Sequence, residues 1–297
     1  MNKKWFYNCI LFLPIDSISR WLNKYHITII SYHNPSYSIL EKHLEYLNSK
    51  YSFISMDDLY EYFYSKKIKS LPNNSLIITF DDGYQQNAEL LPLFIHYKVK
   101  PVIYCCSDII ASNHIYWDKA LKESPDKYKK ISNHERLKLL KEKGVYTKDM
   151  EKLPNQGLSK EDINIMDKHV IWGNHTKTHV ILPQCSYFEK QDEIIEAKKQ
   201  MEKLLPQHTI SHFAYPSGCY DEETINVLKQ AGFKTARSTD VGWNDKYTNP
   251  YKLKVIGISD DANMTKFKFQ LSGLSMWLQY FKHGSIFGKN NNFIMKK

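Results

Sequence analysis

At 297 residues, with 42% hydrophobic and 25% charged side chains, the chain can bury a substantial core, and its composition excludes wholesale disorder. Its 41 basic and 32 acidic residues leave a net charge of +9, which favours anionic neighbours such as a membrane surface or a phosphate-bearing glycan carrier. Lysines are spread along the chain and no basic block alternates with aromatics, so the charge reads as a solvated basic surface and no nucleic-acid partner is expected.

The N-terminus, "MNKKWFYNCILFLPIDSISRW", sets basic residues before a short apolar run. Pro14 and Asp16 end that run after about ten residues, too few to span a bilayer, and no small-residue cleavage site follows. Residues 1–26 are expected to form a helical docking or membrane-surface segment, which leaves a peripheral membrane contact open. Seven short apolar runs then alternate with helix-like segments, the pattern of a parallel sheet wrapped by helices. The runs are "ITIISYH" to His33, "LIITFDD" to Asp82, "PVIYCCS" to Ser107, "VIWGNHT" to Thr176, "HFAYPSG" to Gly218, "TARSTD" to Asp240 and "LKVIGIS" to Ser259. Helices are expected over 38–50, 87–98, 187–205 and 221–233, the last capped by Gly232. The polar, lysine-rich stretch 113–168 reads as an insertion over one rim. A single barrel domain would run from 27 to 262, with a C-terminal helix and a loose tail over 263–297. Five cysteines, at 9, 105, 106, 185 and 219, are odd in number and lack metal-type spacing. Reduced, buried thiols fit best, which points to the cytoplasm, with or without membrane association, before secretion.

Adjacent aspartates occur three times, and context separates them. Asp57 and Asp58 fall in the first turn of a helix, where carboxylates complement the dipole. Asp260 and Asp261 follow a strand without a glycine and read as a solvated loop. Asp81 and Asp82 end a strongly apolar strand and precede Gly83, which permits a sharp turn. In a parallel barrel that end of a strand faces the site, although such a dyad also caps ordinary loops. Two H-x-x-x-H pairs are present, a spacing that twelve histidines give readily by chance. His208 and His212 straddle a strand entrance and read as structural. His175 and His179 begin at a strand exit, where a turn would bring both imidazoles to one side and Asp82 could complete a metal site.

"TFDDG", "HTKTH" and "FAYPSG", in this order at strand ends, resemble the motifs of the polysaccharide deacetylase family, which includes chitin, peptidoglycan and exopolysaccharide N-deacetylases. The early "SYHNP" and the long insertion resemble its exopolysaccharide-type branch. The resemblance implies a distorted (β/α)7 barrel and metal-dependent removal of N-acetyl groups from N-acetylhexosamine units of a glycan, glycolipid or sugar precursor. It makes Asp82, His175 and His179 ligands of a divalent metal, foremost Zn2+ with Co2+, Ni2+ or Fe2+ as alternatives, and Asp81 the general base. Tyr215, Pro216 and Ser217 would form the oxyanion and substrate pocket, with the Ser217 amide as donor. Asp240 and Trp243 resemble a support segment.

The sequence departs from the family pattern at two positions of that pocket. Ala214 stands where an arginine is usual and Ser217 where a tyrosine is usual, which leaves the tethering of Asp81 open. The late Leu-x-His segment that supplies the general acid is not evident. His33, at the end of the first strand, is assigned that role, the alternative being a structural histidine. A glycan-binding protein with weakened catalysis on the same barrel and a carbohydrate de-O-acetylase are the competing readings; oligomeric state is not legible.

Overall fold

The computed structural model of the chain describes residues 15–64, 70–145 and 156–274. The first fourteen residues of the expected docking segment, Cys9, and the tail from 275 lie outside the described residues. Eight strands are present among the described residues: β1 Thr28–Tyr32, β2 Ser52–Phe53, β3 Ser75–Phe80, β4 Val102–Cys105, β5 Ile171–Asn174, β6 His212–Ala214, β7 Thr235–Val241 and β8 Leu253–Gly257. All pair in parallel, and β1 pairs with both β3 and β8, which closes a ring of seven strands into a distorted (β/α)7 barrel. β2 is extra. Leu76 pairs with Thr28 on one side and Phe53 on the other, so β2 shares the β4 edge of β3 at its lower end.

The period-two alternation of strands divides the core into two layers. Ile29, Ile77, Val102, Tyr104, Ala214 and Val255 fill the barrel interior. Ile30, Ile78, Phe80, Ile103, Phe213 and Ile256 face outward into the larger layer under the helices. Extending the inward phase one step past the strand ends places His33, Asp81 and His175 at the mouth, which is why three chemically active side chains converge there.

The segment expected as a helix over 87–98 begins as a 3-10 turn, Gln85–Leu90, before the helix Leu91–His96. The segment expected as one helix over 187–205 carries a π turn, Asp192–Glu196, between Tyr187–Gln191 and Ala197–Leu204. Its start is fixed by a capping box between Ser186 and Glu189. Gly232 ends the helix Glu222–Gln230 at φ 75°, as expected of a C-terminal cap. The insertion folds into the helices Trp117–Ala120, Asn133–Glu142 and Lys160–Met166, with its own small core of Trp117, Tyr128 and Leu140. It is fastened to the mouth of the barrel by a bridge between Tyr84 and Gly157 and by the Leu158 amide, which donates to the Gly83 carbonyl at 2.9 Å.

At the opposite end of the barrel, His212 is buried between Thr235, 2.9 Å from Nδ1, and Asp57, 3.1 Å from Nε2. His208 pairs with Asp167 at 2.7 Å. Both partners of this second histidine pair are thus engaged in structural contacts. Cys105, Cys106, Cys185 and Cys219 are free thiols, and burial pushes all four upward in pKa.

Candidate active site

The dyad is split by backbone geometry. Asp81 continues the strand, its amide donating to the Tyr32 carbonyl at 2.9 Å, whereas Asp82 has φ 72° and turns the other way. Gly83 follows at φ 68°, where an added Cβ would lie 2.7 Å from Cys105 Sγ. A left-handed aspartate followed by glycine therefore sends two neighbouring carboxylates to different tasks.

Asp82 Oδ1 lies 3.6 Å from His175 Nε2 and 3.5 Å from His179 Nε2. All three residues are buried, and Asp82 Oδ1 has no hydrogen-bond partner among the described residues. His175 Nδ1 is 2.7 Å from the Ala214 carbonyl, a contact that requires the proton on Nδ1 and leaves the Nε2 lone pair facing Asp82. Burial, ahead of neighbouring charges, lowers both histidines from 6.5 to about 4, so both are neutral at neutral pH. Burial likewise raises Asp82. The Asp82 oxygen and the Nε2 lone pair of His175 thus face one another without a proton between them, a repulsion that a cation would relieve. Two ligands on one zinc ion at about 2.1 Å and a tetrahedral angle apart are separated by about 3.4 Å, close to both observed separations. The donor set and its spacing therefore fit a divalent ion, and these three are the cluster of metal-ligating type among the described residues.

The loop that presents the histidines is held from behind. Thr176 and His179 have φ 67° and 59°, a strained region for residues with side chains. The Thr176 hydroxyl accepts from the His179 amide at 3.0 Å. Glu193, in the π turn, accepts from the amides of Lys177 and Thr178 at 3.0 and 2.9 Å and from the Thr178 hydroxyl at 2.7 Å. From the insertion, the Trp117 indole donates to the His179 carbonyl at 3.0 Å, and Tyr116 donates its hydroxyl to the Asp82 carbonyl while meeting the His179 ring edge-on. Glu193, Tyr116 and Trp117 escaped sequence reasoning; the only trace of the last two was an aromatic pair inside an otherwise polar insertion.

Asp81 is tethered from an unexpected strand. Arg237 of β7, itself buried, donates from Nη2 to Asp81 Oδ1, and its guanidinium lies 5.3 Å from the Tyr104 ring centroid. Arg237 is the register partner of Ala214. Both point into the barrel, and the methyl group of Ala214 leaves the space that the Arg237 side chain crosses. Burial pushes the Asp81 carboxyl up, but Arg237, His175 and His33 outweigh it and hold it below the usual carboxylate range.

The other oxygen of Asp81, Oδ2, lies 4.0 Å from His33 Nε2. The His33 backbone is fixed at both polar groups, its amide donating to Asp260 Oδ1 and its carbonyl accepting from Asn87 Nδ2, each at 3.0 Å. Its side chain is 55% exposed, so the structural alternative of a buried histidine does not hold. Asp260 is correspondingly a backbone clamp on His33, and only Asp261 behaves as a solvated acid, paired with Lys266 at 2.7 Å.

Ser217 stands at φ 54° between Pro216 and Gly218, and its amide makes no hydrogen bond among the described residues. Three of the predicted pocket residues are placed elsewhere. Tyr215 is in the outward phase of its strand, buried with its hydroxyl 2.9 Å from the Tyr251 carbonyl, because Ala214 takes the inward position. Trp243 packs in the outer layer, so close to the chain that a Cβ on Gly273 would lie 2.5 Å from its ring. Asp240 meets Ser238 and Tyr220, not Asp81 or His33.

Fold and site together define a parallel barrel with a candidate metal centre at the C-terminal mouth of its strands. A family model described as polysaccharide deacetylase matches residues 68–236, more than half of the chain, and the chain belongs to that family. YxkH of Bacillus subtilis (strain 168), named for the same family, is 22% identical over 193 residues. That match takes in 65% of this chain and 54% of the other, so the chain spans about half the length of this curated relative. Among solved structures, IcaB from Ammonifex degensii superposes with a TM-score of 0.61 at 16% identity, over 84% of this chain and 96% of that one. The Streptococcus pyogenes deacetylase PplD gives 0.59 at 17%, over 80% and 93%. A de-N-acetylase from Aggregatibacter actinomycetemcomitans gives 0.59 at 14%, over 82% and 99%. At these identities the likeness is one of fold.

Proposed function

We propose that the protein is a metal-dependent hydrolase that removes N-acetyl groups from N-acetylhexosamine units of a glycan, glycolipid or sugar precursor. The observation that carries this reading is the pairing of the Asp82, His175 and His179 trio with a second carboxylate, Asp81, that is held apart by Arg237 and faced by an exposed imidazole. A divalent ion held by the trio, zinc by its donor set, would acidify a water molecule and polarise the acetamide carbonyl.

Asp81 Oδ2 faces the mouth while Oδ1 is engaged by Arg237, so Oδ2 takes the proton of the water that attacks the carbonyl carbon. The Ser217 amide is free to donate to the oxygen that gains charge as the tetrahedral centre forms. His33, in its protonated form, delivers a proton to the amide nitrogen as the carbon–nitrogen bond breaks, leaving acetate and a free amine. The reading of a glycan-binding protein with weakened catalysis rests on the missing arginine and the missing late histidine. Arg237 supplies that charge from the next strand, which favours turnover over mere binding.

Acetate release from N-acetylglucosamine oligosaccharides and from a lipid-linked N-acetyl sugar, before and after chelation and metal add-back, tests the reading. Asp81→Asn is expected to abolish release while metal content stays near that of the wild type. Loss of bound metal in Asp81→Asn would show that the two aspartates do not divide the work this way. Full activity after chelation would remove the metal from the mechanism.

A further inference from the structure

The two imidazoles of the trio are not equally held. His175 has its Nδ1 2.7 Å from the Ala214 carbonyl, which fixes the ring from behind. His179 Nδ1 is buried and has no hydrogen-bond partner among the described residues. Its Nε2 faces Asp82 at 3.5 Å, so the proton of the neutral ring belongs on Nδ1, where it needs an acceptor. A metal-binding histidine almost always gives that second N–H to a carboxylate, a carbonyl or a water molecule.

The neighbourhood offers one acceptor for it. Two backbone carbonyls of the site are engaged elsewhere: that of His179 accepts from the Trp117 indole at 3.0 Å, and that of Asp82 from the Tyr116 hydroxyl. Three carboxylate oxygens among the described residues are buried without a hydrogen bond, one each on Asp82, Asp118 and Asp240. Asp82 Oδ1 faces the two Nε2 atoms, and Asp240 stands beside Ser238 and Tyr220. Asp118 remains. It lies in the short insertion helix Trp117–Ala120, directly after Trp117 and after Tyr116, whose ring meets that of His179 edge-on at 5.7 Å between centroids. Burial apart, its carboxylate is the largest influence on His179, and it acts on Asp82 and Tyr84 as well. A buried donor and a buried acceptor, each without a partner and not bonded to each other, are the two ends that a single water molecule joins.

We propose that Asp118 is a positioning residue of the metal centre: through one ordered water, its Oδ1 takes the hydrogen bond of His179 Nδ1–H and holds that imidazole with Nε2 toward a bound metal ion. The inference rests on the metal reading of the trio, and it gives the insertion a part in the chemistry of the barrel. Without that acceptor the ring can carry its proton on either nitrogen, and the form with the proton on Nε2 has no lone pair there for a cation.

Zinc affinity by competition with a chromogenic chelator, together with NMR of nitrogen-labelled histidine, tests it. The wild type is expected to bind zinc and to show the His179 Nδ1 proton, assigned by its absence in His179→Gln, as a slowly exchanging signal. Asp118→Ala is expected to weaken zinc affinity about 10–100-fold and to speed exchange of that proton, while the chelated protein keeps the wild-type thermal transition. Asp118→Asn removes the charge but keeps an acceptor oxygen, and should recover most of both. Equal affinity in the wild type and the alanine variant would overturn the inference. So would equal losses in the alanine and asparagine variants, because charge alone would then be at work. Should Asp118→Ala unfold, the wild type decides by itself: a His179 Nδ1 proton exchanging too fast to observe overturns the inference. A wild type that binds no zinc would remove the metal reading itself, and this inference with it.

Discussion

Arg237 and Asp81 are 156 residues apart in sequence and form a buried ion pair, and burial decides what their separation costs. Removing the guanidinium leaves an unpaired carboxylate out of water, so Arg237→Ala is expected to lose about 3–5 kcal/mol of stability in a urea titration. Arg237→Lys keeps the charge but not the planar fork, and should fold, retain its metal and lose kcat by about tenfold or more. An unchanged kcat in the lysine variant would mean that the pair serves the fold alone. The two histidines give a pH signature in the chelated protein. Folded, they take up protons near pH 4, whereas unfolded histidines do so near 6.5. Stability from their neutral forms is therefore complete above 6.5 and is lost as pH falls toward 4. The urea midpoint of the chelated protein should decline across that window, and less steeply in His175→Gln. Since His43 is also lowered to about 4, the comparison between the two proteins, not the slope itself, isolates the site.

At the scale of the element, the loop from His175 to His179 is a strained turn that a neighbouring helix holds in place. Two of its five residues have positive φ, and a single carboxylate, Glu193, collects three of its donors. Glu193→Ala is expected to weaken metal affinity by about 10–100-fold, as loss of an outer-shell partner does, measured by competition with a chromogenic chelator. Unaltered affinity would mean that the loop holds its shape unaided. This element also marks where sequence reasoning stops. The seven barrel strands and the trio were legible because apolar runs end in chemically active residues at the inward phase. β2 was not, since two residues carry no periodicity. The π turn was not, because a helix of slightly wider pitch has the same apolar pattern. Arg237 was out of reach for another reason: its role depends on the register between β6 and β7, and "TARSTD" read alone is an ordinary strand. Tyr215 was placed in the pocket by motif when the alternation of Phe213, Ala214 and Tyr215 already turns it outward.

For the molecule as a whole, the barrel keeps its chemistry at one end. β1 and β3 have five and six residues, which at about 3.3 Å per residue set the mouth some 15–20 Å from the strand entrances. The entrance end is tied by structural pairs, the Ile27 backbone with Asn244 and His212 with Thr235 and Asp57. The insertion reaches the other end: its Leu158 amide donates to the Gly83 carbonyl and its Trp117 indole to the His179 carbonyl. A rim that supports the histidine loop should therefore show its effect in the metal. Trp117→Phe removes the indole donor while keeping a ring in the insertion core, and is expected to weaken metal affinity by about tenfold, read by competition with a chromogenic chelator. Unaltered affinity would mean that the insertion covers the mouth without supporting the loop.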